Sequence, residues 1–493
     1  MLNTFLLLLV LPVLQQPPQG EVLPLRVEDV VRMATTNAPA IKQAELQAQA
    51  TAAGVLQAGG AYDYTMFADA TYSLNERPTS GGVFNSGLDA IRIRSWNASQ
   101  GLRKSLMSGG SFEISVSETY TEDNQNISFF GFNPESNVGL NFSFTQPLLR
   151  GGWSLTATQA LRTAQFNSQA ASEGARAAIV DATQAAVDAY WNLAFSLEDV
   201  KVKELSLRLA EELRDQTQTK FEVGAAAEVE VVQTEADIAL RTEALLTAKN
   251  TVKQAEDVLR QMIFDFEDSQ DWNLGLSPVS ELPPPVATDI AWEVAYQVAL
   301  AHRADLERNR IDAEQKKLDW DVARHSLRPK LDFVVTGSSA GVESQIHEAF
   351  DVARGFYYTG YSIGLNFEMP IGNHAYQGAE MAARRSLDLA QRVLRDTENA
   401  IAIEVRGAVR NLNYLSERVA ATALASQVAE RQLEAEQRRL REGASTNFQV
   451  LQFQRDLEQA LTSEKNSRME YAKAAVKLFT VQGLNWDGSV FES

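Results

Sequence analysis

Few residues of this chain stand in an arrangement that could do chemistry. The four histidines are His302, His325, His347 and His374. They are too few and too scattered for the spacings of histidine metal sites. The 493 residues include no cysteine, which excludes disulfide bonds, thiolate zinc sites and cysteine nucleophiles. Because no Walker loop, nucleophile elbow or metal-ligand box accompanies the many carboxylates, we predict that the protein is not an enzyme and holds no cofactor or metal.

The charge balance argues against a nucleic-acid partner. The chain has 45 Lys and Arg against 64 Asp and Glu, a formal net charge of -19 at pH 7. An acidic surface repels phosphate, and the sequence has no local basic patch that could form a binding groove. With 45% hydrophobic and 22% charged residues, the chain has the composition of a folded protein.

The N-terminal segment is interpreted as a secretory signal. Residues 5–14 form an apolar run that is too short to span a bilayer as a helix, which takes about 20 residues. The run fits the apolar region of a signal peptide, and we predict one over residues 1–20. A buried N-terminal strand or short helix stays open as the alternative. No later stretch is apolar enough to predict a membrane-spanning helix.

Three landmarks occur twice in the chain, in the same order. Residues 36–41 match residues 301–306 at an offset of 265. A Phe-x-x-Pro motif ends at Pro147 and again at Pro370, at an offset of 223. Residues 221–233 match residues 440–452 at an offset of 219. A repeat this long is not that of a solenoid, so the order of the landmarks predicts a duplicated half-molecule.

The duplication divides the chain into parts. We predict a first repeat over residues 21–264, an acidic and proline-rich connector over 265–288, a second repeat over 289–484 and a C-terminal tail over 485–493. The offset falls from 265 to 223 between the first two landmarks, so the first repeat carries 42 extra residues. These residues read as a hairpin with a glycine turn, over about 91–121.

Alternating apolar and polar residues predict about six strands, four in the first repeat and two in the second. The second pair lies within about 330–370. Segments 75–90, 122–137 and 338–355 read as long polar loops, whereas the turn at 107–110 is short. Long loops on one side and short turns on the other are typical of an outer-membrane barrel. A half-buried soluble sheet has the same period and stays open as an alternative.

If the predicted strands lie in a membrane, several chains must contribute to one barrel. The smallest spanning barrels have about eight strands, and an open sheet edge cannot face hydrocarbon. About six strands per chain would therefore have to join those of other copies in one shared barrel.

Long helices are predicted after each Phe-x-x-Pro motif. Residues 153–221 and 376–441 contain no proline, and each run would be roughly 100 Å long as a helix. Their apolar residues recur every three or four positions, as in coiled coils. Return helices are predicted after Gly224 and Gly443, over about 228–263 and 447–479, and shorter helices over 27–56 and 290–327. Burial of the apolar stripes inside a soluble bundle stays open as an alternative.

These features together resemble the TolC family of outer-membrane efflux proteins. The resemblance rests on the duplicated layout, on the Phe-x-x-Pro junctions at Pro147 and Pro370, and on the hairpin tips at Gly224 and Gly443. It implies a mainly α-helical protein with a membrane β-barrel portion. Three copies would share one β-barrel, to which each gives about 4–6 strands, and one α-barrel of long coiled-coil helices.

The resemblance also implies a function and a location. A homotrimer in the lipid of the cell outer membrane would extend into the periplasm as a passive exit duct. A periplasmic adaptor protein and an inner-membrane pump of the RND or ABC type would dock at the helical tips. The duct would serve drug or metal efflux or type I protein secretion. A soluble coiled-coil scaffold of the periplasm is the alternative function.

In the resembled family, aspartate rings narrow the periplasmic entrance just after the second tip glycine. The matching positions here are Gln449 and Gln452, with Glu230 and Gln233 in the first repeat. Because the aspartates are missing, we predict that Glu228 and Glu230 supply the negative charge at the entrance. The alternative is that both glutamates face solvent on the outside of the hairpin.

The family pattern is four strands per copy, hence twelve in a trimer. If the extra hairpin of this chain joins the wall, three copies would have 18 strands. If it does not, the hairpin folds outside the barrel wall.

Overall fold

The computed structural model describes residues 22–79, 88–124, 131–265, 271–285 and 290–490. The predicted signal peptide and parts of the predicted connector and loops lie outside these residues. The chain divides into two compact units. The helical unit comprises Met1–Leu46, Glu173–Leu306 and Thr397–Ser493, and the strand unit comprises Gln47–Ser172 and Glu307–Asp396.

Helices make up most of the described chain, and ten are found there. They are α1 Val27–Asn37, α2 Pro39–Gly59, α3 Trp153–Ala157, α4 Gln159–Glu222, α5 Glu228–Ile263, α6 Trp292–His302, α7 Ala304–His325, α8 Ile346–Arg354, α9 His374–Arg441 and α10 Asn447–Thr480. The two long helices and their return helices agree closely with the sequence prediction. α4 has 64 residues and α9 has 68.

The core of the helical unit lies along the predicted apolar stripes. Val405 and Leu415 of α9 are buried, as are Tyr190 and Leu193 of α4. The Tyr190 ring lies in the core, while its hydroxyl donates to the carbonyl of Leu25 at 3.2 Å. Burying a tyrosine is favourable when its polar end finds a partner in this way.

Two helices that the sequence predicts as continuous are broken. The prediction over 27–56 is interrupted at Ala38, which has ψ 125 because the following Pro39 disfavours the helical conformation there. The prediction over 290–327 is interrupted at Arg303, with ψ 122. Arg303 donates two hydrogen bonds to Asp305, at 2.9 and 2.7 Å. The second break is therefore accompanied by the Arg303–Asp305 hydrogen bonds, whereas the first is accompanied by a proline.

Eight strands are found in the described residues. They are β1 Val22–Leu25, β2 Thr65–Pro78, β3 Ala90–Ser105, β4 Ser111–Asp123, β5 Glu135–Pro147, β6 Gly275–Pro278, β7 Lys330–Glu343 and β8 Thr359–Glu368. β1 and β6 pair in parallel within the helical unit, and neither was predicted. The other six form one antiparallel sheet in the strand unit, in the order β2-β3-β4-β5-β7-β8.

The register of this sheet separates apolar from polar side chains. Directly paired residues point to the same face, and successive residues along a strand alternate between the faces. One face, here called the apolar face, carries Met66, Tyr72, Trp96, Leu102, Ile114, Leu140, Phe142, Val335, Ile363 and Leu365. The opposite face, here called the polar face, carries Asp69, Thr71, Asn97, Ser99, Ser115, Ser117, Asn141, Ser143, Thr336 and Ser362.

The predicted loop over 338–355 is wrong in part. β7 continues to Glu343, and the helix α8 follows. α8 buries its small residues Ala349 and Ala353 against Val138 of β5. Small residues carry little hydrophobic signal, so this short helix reads as a polar loop in the sequence. The strand predicted from residue 62 is also corrected, because Tyr62 ends a 3-10 turn and β2 begins at Thr65.

No helix in the described residues is long and apolar enough to cross a membrane.

Candidate functional site

Both predicted hairpin tips are tight left-handed turns at glycine. Gly224 has φ 77 and Gly443 has φ 76. The amide after each glycine donates to a helix carbonyl five residues earlier, from Ala225 to Lys220 at 2.7 Å and from Ala444 to Arg439 at 2.8 Å. This is the Schellman ending of a helix, which satisfies carbonyls that the helix leaves free. No atom lies within 4 Å of a Cβ added at either glycine, so the requirement for glycine is one of backbone conformation alone.

The helices that leave the two tips begin differently. α10 starts from Thr446, and the Gln449 amide donates to the Thr446 hydroxyl at 3.4 Å while the Gln449 side chain accepts from the Thr446 amide at 3.4 Å. This reciprocal pair is a capping box. α5 starts from Ala227, which has no side chain that could cap the helix. Gln449, predicted at the entrance constriction, is therefore engaged at its own helix terminus.

One hydrogen bond joins the two tips of the chain. Asn447 Nδ2 donates to Glu230 Oε2 at 2.9 Å, from the first turn of α10 to the first turn of α5. Asn447 is buried and Glu230 is half-buried. Glu228 and Glu230 also lie where the N-terminal end of a helix favours negative charge. A carboxylate at position 230 thus has a structural reason to be there in addition to the predicted role in the entrance.

The remaining predicted entrance residues are exposed. Glu228, Gln233 and Gln452 all have open side chains in the single chain. Gln452 donates to Asp456 at 2.9 Å and accepts from Arg455 at 3.1 Å.

A buried charge network, which sequence reasoning missed, lies farther along the same helices. Arg241 Nε donates to Asp237 Oδ2 at 2.6 Å, and each residue is 6% exposed. Arg241 Nη1 also donates to the carbonyl and hydroxyl oxygens of Ser206, both at 2.8 Å. From α10, Arg455 Nη1 reaches Asp237 Oδ1 at 3.2 Å. The network thereby connects α4, α5 and α10.

Glu458 of α10 extends this network. It accepts hydrogen bonds from Lys203 and Ser206 of α4. Burial tends to raise the pKa of Glu458, but the hydrogen bonds from Lys203 and Ser206 outweigh it and hold the pKa below its ordinary value. Glu458 is thus a charged link between two helices at neutral pH.

A sequence signal for this network exists. Four buried positions of α5 are spaced three or four residues apart: Val231, Thr234, Asp237 and Arg241. Asp237 and Arg241 thus lie where the stripe of a coiled coil requires apolar side chains. Charged residues in phase with such a stripe indicate a buried ion pair between helices.

The strand-to-helix junctions belong to the strand unit. Pro147 ends β5, and Pro370 follows β8. After each proline the chain turns through a left-handed glycine, Gly151 with φ 82 and Gly372 with φ 90. The proline ends the strand because it has no amide hydrogen to donate to a further strand.

Arg150 connects the first junction to the second. Its guanidinium lies 4.7 Å from the centre of the Tyr376 ring at the start of α9. It also pairs with Glu368 at the end of β8, at 3.4 Å, and its side chain is only 13% exposed. A cation over an aromatic face in a desolvated position contributes about 1–2 kcal/mol.

Within the described ranges, no group of three or more His, Asp or Glu residues could hold a metal ion.

Known proteins resemble the chain over most of its length. A family model described as "Outer membrane efflux protein" matches residues 112–263 and 295–484. The pyoverdine export outer membrane protein OpmQ of Pseudomonas aeruginosa is 26% identical over 293 residues, which is 59% of this chain and 58% of that protein. OpmQ of Pseudomonas putida is 26% identical over 298 residues, 59% of each chain. The match therefore spans less than two thirds of these relatives.

Solved structures share the fold. The Campylobacter jejuni CmeC outer membrane channel has a TM-score of 0.70 at 18% identity, covering 95% of this chain and 87% of that one. The outer-membrane channel OprN has a TM-score of 0.69 at 16% identity, covering 93% and 90%. VceC of Vibrio cholerae has a TM-score of 0.67 at 16% identity, covering 93% and 96%. The resemblance inferred from the sequence is confirmed, and the chain belongs to the outer membrane efflux protein family.

Proposed function

We propose that this protein is the outer-membrane exit duct of a tripartite efflux or type I secretion system. The observation that carries the proposal is the six-stranded sheet with one apolar and one polar face. α8 covers the part of the apolar face near Val138 and Leu140. Lipid can cover the rest of that face, and water in a channel can cover the polar one. Family membership supports this reading.

The exposure of the apolar face favours the duct over the soluble scaffold. Met66 is 85% exposed and Tyr361 is 86% exposed, although both are large apolar or aromatic side chains. A small sheet that caps a soluble bundle would bury such residues in its own core. An extensive exposed apolar surface instead marks contact with lipid or with another chain.

The duct would be passive and would depend on partners. Three copies would complete the wall, and an adaptor and an inner-membrane pump of the RND or ABC type would meet the tips at Gly224 and Gly443. The cargo would be set by the pump. The matched relatives are named for export of pyoverdine, which favours a small molecule as the cargo class.

The entrance to the duct would be acidic. Glu228 and Glu230 begin α5 next to the first tip. Three copies would bring six such carboxylates to the periplasmic end and attract cations there. Gln233, Gln449 and Gln452 would line the same region without charge.

The proposal is tested by fractionation and bilayer recording. The protein, produced with its N-terminal segment in a Gram-negative host, should be found in the outer-membrane fraction and should need detergent for extraction. The purified oligomer should form ion-conducting channels in planar lipid bilayers. A monomer that stays dissolved without detergent and conducts nothing would establish the scaffold reading instead.

A further inference from the structure

The hairpin β3–β4 distinguishes this chain from the four-stranded pattern expected for one copy. It lies inside the sheet, because β3 pairs with β2 over residues 90–103 and β4 pairs with β5 over residues 111–121. A hairpin attached outside the wall would leave β2 and β5 as neighbours. Here β2 and β5 are separated by both strands of the hairpin.

The polar face continues across the hairpin through side-chain hydrogen bonds. Ser99 of β3 donates to Asp69 of β2 at 2.7 and 2.8 Å. Thr119 of β4 donates to Asn97 of β3 at 3.1 Å. Asn141 of β5 donates to Ser117 of β4 at 3.1 Å. Each boundary from β2 to β5 therefore has a polar cross-strand contact on the same face.

The apolar face also continues across the hairpin and is bounded by aromatic rows. Tyr72, Trp96 and Tyr120 are directly paired neighbours on β2, β3 and β4. Phe112 of β4 pairs with Phe144 of β5 toward the other end of the strands. Along β4 the two rows are about 27 Å apart at a rise of about 3.4 Å per residue.

At the tilt of about 35–45° that strands have in outer-membrane barrels, this length covers roughly 19–22 Å of height, close to the apolar band, which is about 25 Å tall and has aromatic girdles at both interfaces. Between the two aromatic rows, the acidic residue that β4 carries on this face is Glu118, which borders a cleft beside α8. The hairpin therefore spans the apolar band as the neighbouring strands do.

Packing at the hairpin turn holds it in place. Gly109 has φ 86, and Ser108 donates its hydroxyl to Gln146 Oε1 at 2.7 Å at the end of β5. The Trp153 amide donates to the Ser108 carbonyl at 2.8 Å. A Cβ on Gly110 would lie 2.5 Å from Gln146 Oε1, so the turn lies directly against the strand-to-helix junction.

The sheet is open at β2 and β8. In the described residues each of these strands has a neighbour on one side only. All five strand pairs in the sheet are antiparallel, so β2 and β8 run in opposite directions. The β8 edge of one copy can therefore pair in antiparallel fashion with the β2 edge of the next copy, which keeps an even number of strands.

We propose that the β3–β4 hairpin is part of the membrane-crossing wall, and that three copies of this chain close a barrel of 18 strands through β8-to-β2 contacts. The inference rests on the proposed outer-membrane function. Because barrel diameter grows roughly in proportion to strand number, the outer part of the duct is about 1.5 times as wide as a twelve-stranded one. Barrels of about 16–18 strands enclose an aqueous channel.

Cysteine accessibility tests the proposal, since the chain has no native cysteine. Ile114→Cys and Ser115→Cys place a thiol on the apolar and on the polar face of β4. In membranes, a charged water-soluble thiol reagent should label Ser115→Cys and should fail to label Ile114→Cys. A lipid-soluble maleimide should label Ile114→Cys.

The matched controls lie directly opposite on β5. Phe142 pairs with Ile114, and Asn141 pairs with Ser115. Phe142→Cys and Asn141→Cys should show the same division between reagents, because β5 belongs to the wall with or without the hairpin. Equal aqueous labelling of both β4 variants, with the division kept on β5, overturns the 18-stranded barrel and leaves the channel function standing. Loss of the division on β5 contradicts the membrane function itself.

A direct strand count tests the proposal even if the cysteine variants fail to assemble. Electron cryomicroscopy of the unmodified oligomer in lipid nanodiscs should show 18 strands in cross-section. A wall of twelve strands, with β3 and β4 outside it, would overturn the proposal.

Discussion

Asn447 and Glu230 join the two hairpin tips through a hydrogen bond of 2.9 Å between an amide and a carboxylate. The two residues come from different halves of a duplicated chain, and each lies in the first turn of a return helix. The bond places a negative charge beside the junction of the two tips. The charge on Glu230 and the bond that it accepts have separable effects, because an amide at position 230 can accept the same hydrogen bond.

Glu230→Gln should lower the cation preference of the channel. The variant removes a charge from each copy but keeps an acceptor for Asn447, so the tips should stay joined. The measurement is the reversal potential of single channels under a salt gradient. Glu228→Gln is the companion variant at the neighbouring exposed carboxylate, and selectivity that is unchanged in both would dispose of the acidic entrance.

Gly443→Val should reduce export while assembly survives. A β-branched residue is disfavoured at φ 76 and costs roughly 1–2 kcal/mol in the left-handed conformation. Asn tolerates that conformation better, which makes Gly443→Asn the matched control. Export of a known cargo and the size of the purified oligomer are the two measurements. Normal export by Gly443→Val would remove the assignment of the tip.

Arg241→Met should strongly destabilise the helical unit. It leaves Asp237 as a buried carboxylate whose remaining charged partner among the described residues is Arg455, at 3.2 Å. Removing one member of a buried ion pair costs about 3–5 kcal/mol, whereas replacing both by apolar residues is often neutral. The double variant Asp237→Leu/Arg241→Met should therefore recover most of the loss. Thermal unfolding in detergent, followed by circular dichroism, measures both, and equal melting of the single variant and the parent would contradict the importance of the pair.

Glu458 should make the packing of α4 against α10 sensitive to acid. Its pKa is lowered in the folded protein, so folding is favoured by the ionised carboxylate. This contribution is fully present above the unfolded pKa of about 4.3 and is lost as the pH falls through the lower folded pKa. Melting temperature measured from pH 7 to pH 3 should fall less steeply for Glu458→Gln than for the parent. If the melting temperatures of the variant and the parent fall equally with pH, Glu458 is not a source of acid sensitivity.

Local rules predicted the regular parts of this fold well. The period of two in β2–β5, β7 and β8 identified all six strands of the large sheet. Gly224 and Gly443 were named from the sequence as turn residues, and both have positive φ, which glycine adopts readily. Structural features that depend on a single residue type or on a short repeat of apolar residues could thus be predicted from the sequence.

Features that depend on distant partners were not predictable in this way. β1 pairs with β6 across 253 residues of sequence, and four-residue segments carry too little pattern to reveal that pairing. The break at Arg303 depends on carboxylates at Asp305 and Glu404, the second of which lies far along the chain. From the sequence alone, Asp237 and Arg241 would be expected on the surface, because their burial depends on packing of α4 and α10 against α5. The buried charges of the candidate site were therefore missed, and the roles predicted for its turns and entrance residues stay predictions.

The two tips keep one backbone turn but differ in the residues that start the next helix, Ala227 in one and Thr446 with Gln449 in the other. The two tips thus share a main-chain turn and differ in the side chains that follow it. A trimer would then present six helical ends of two alternating kinds. A binding protein that recognises only one kind of helical end would attach with a stoichiometry of three per trimer. A binding protein that contacts only the backbone turn common to both kinds could attach with a stoichiometry of six.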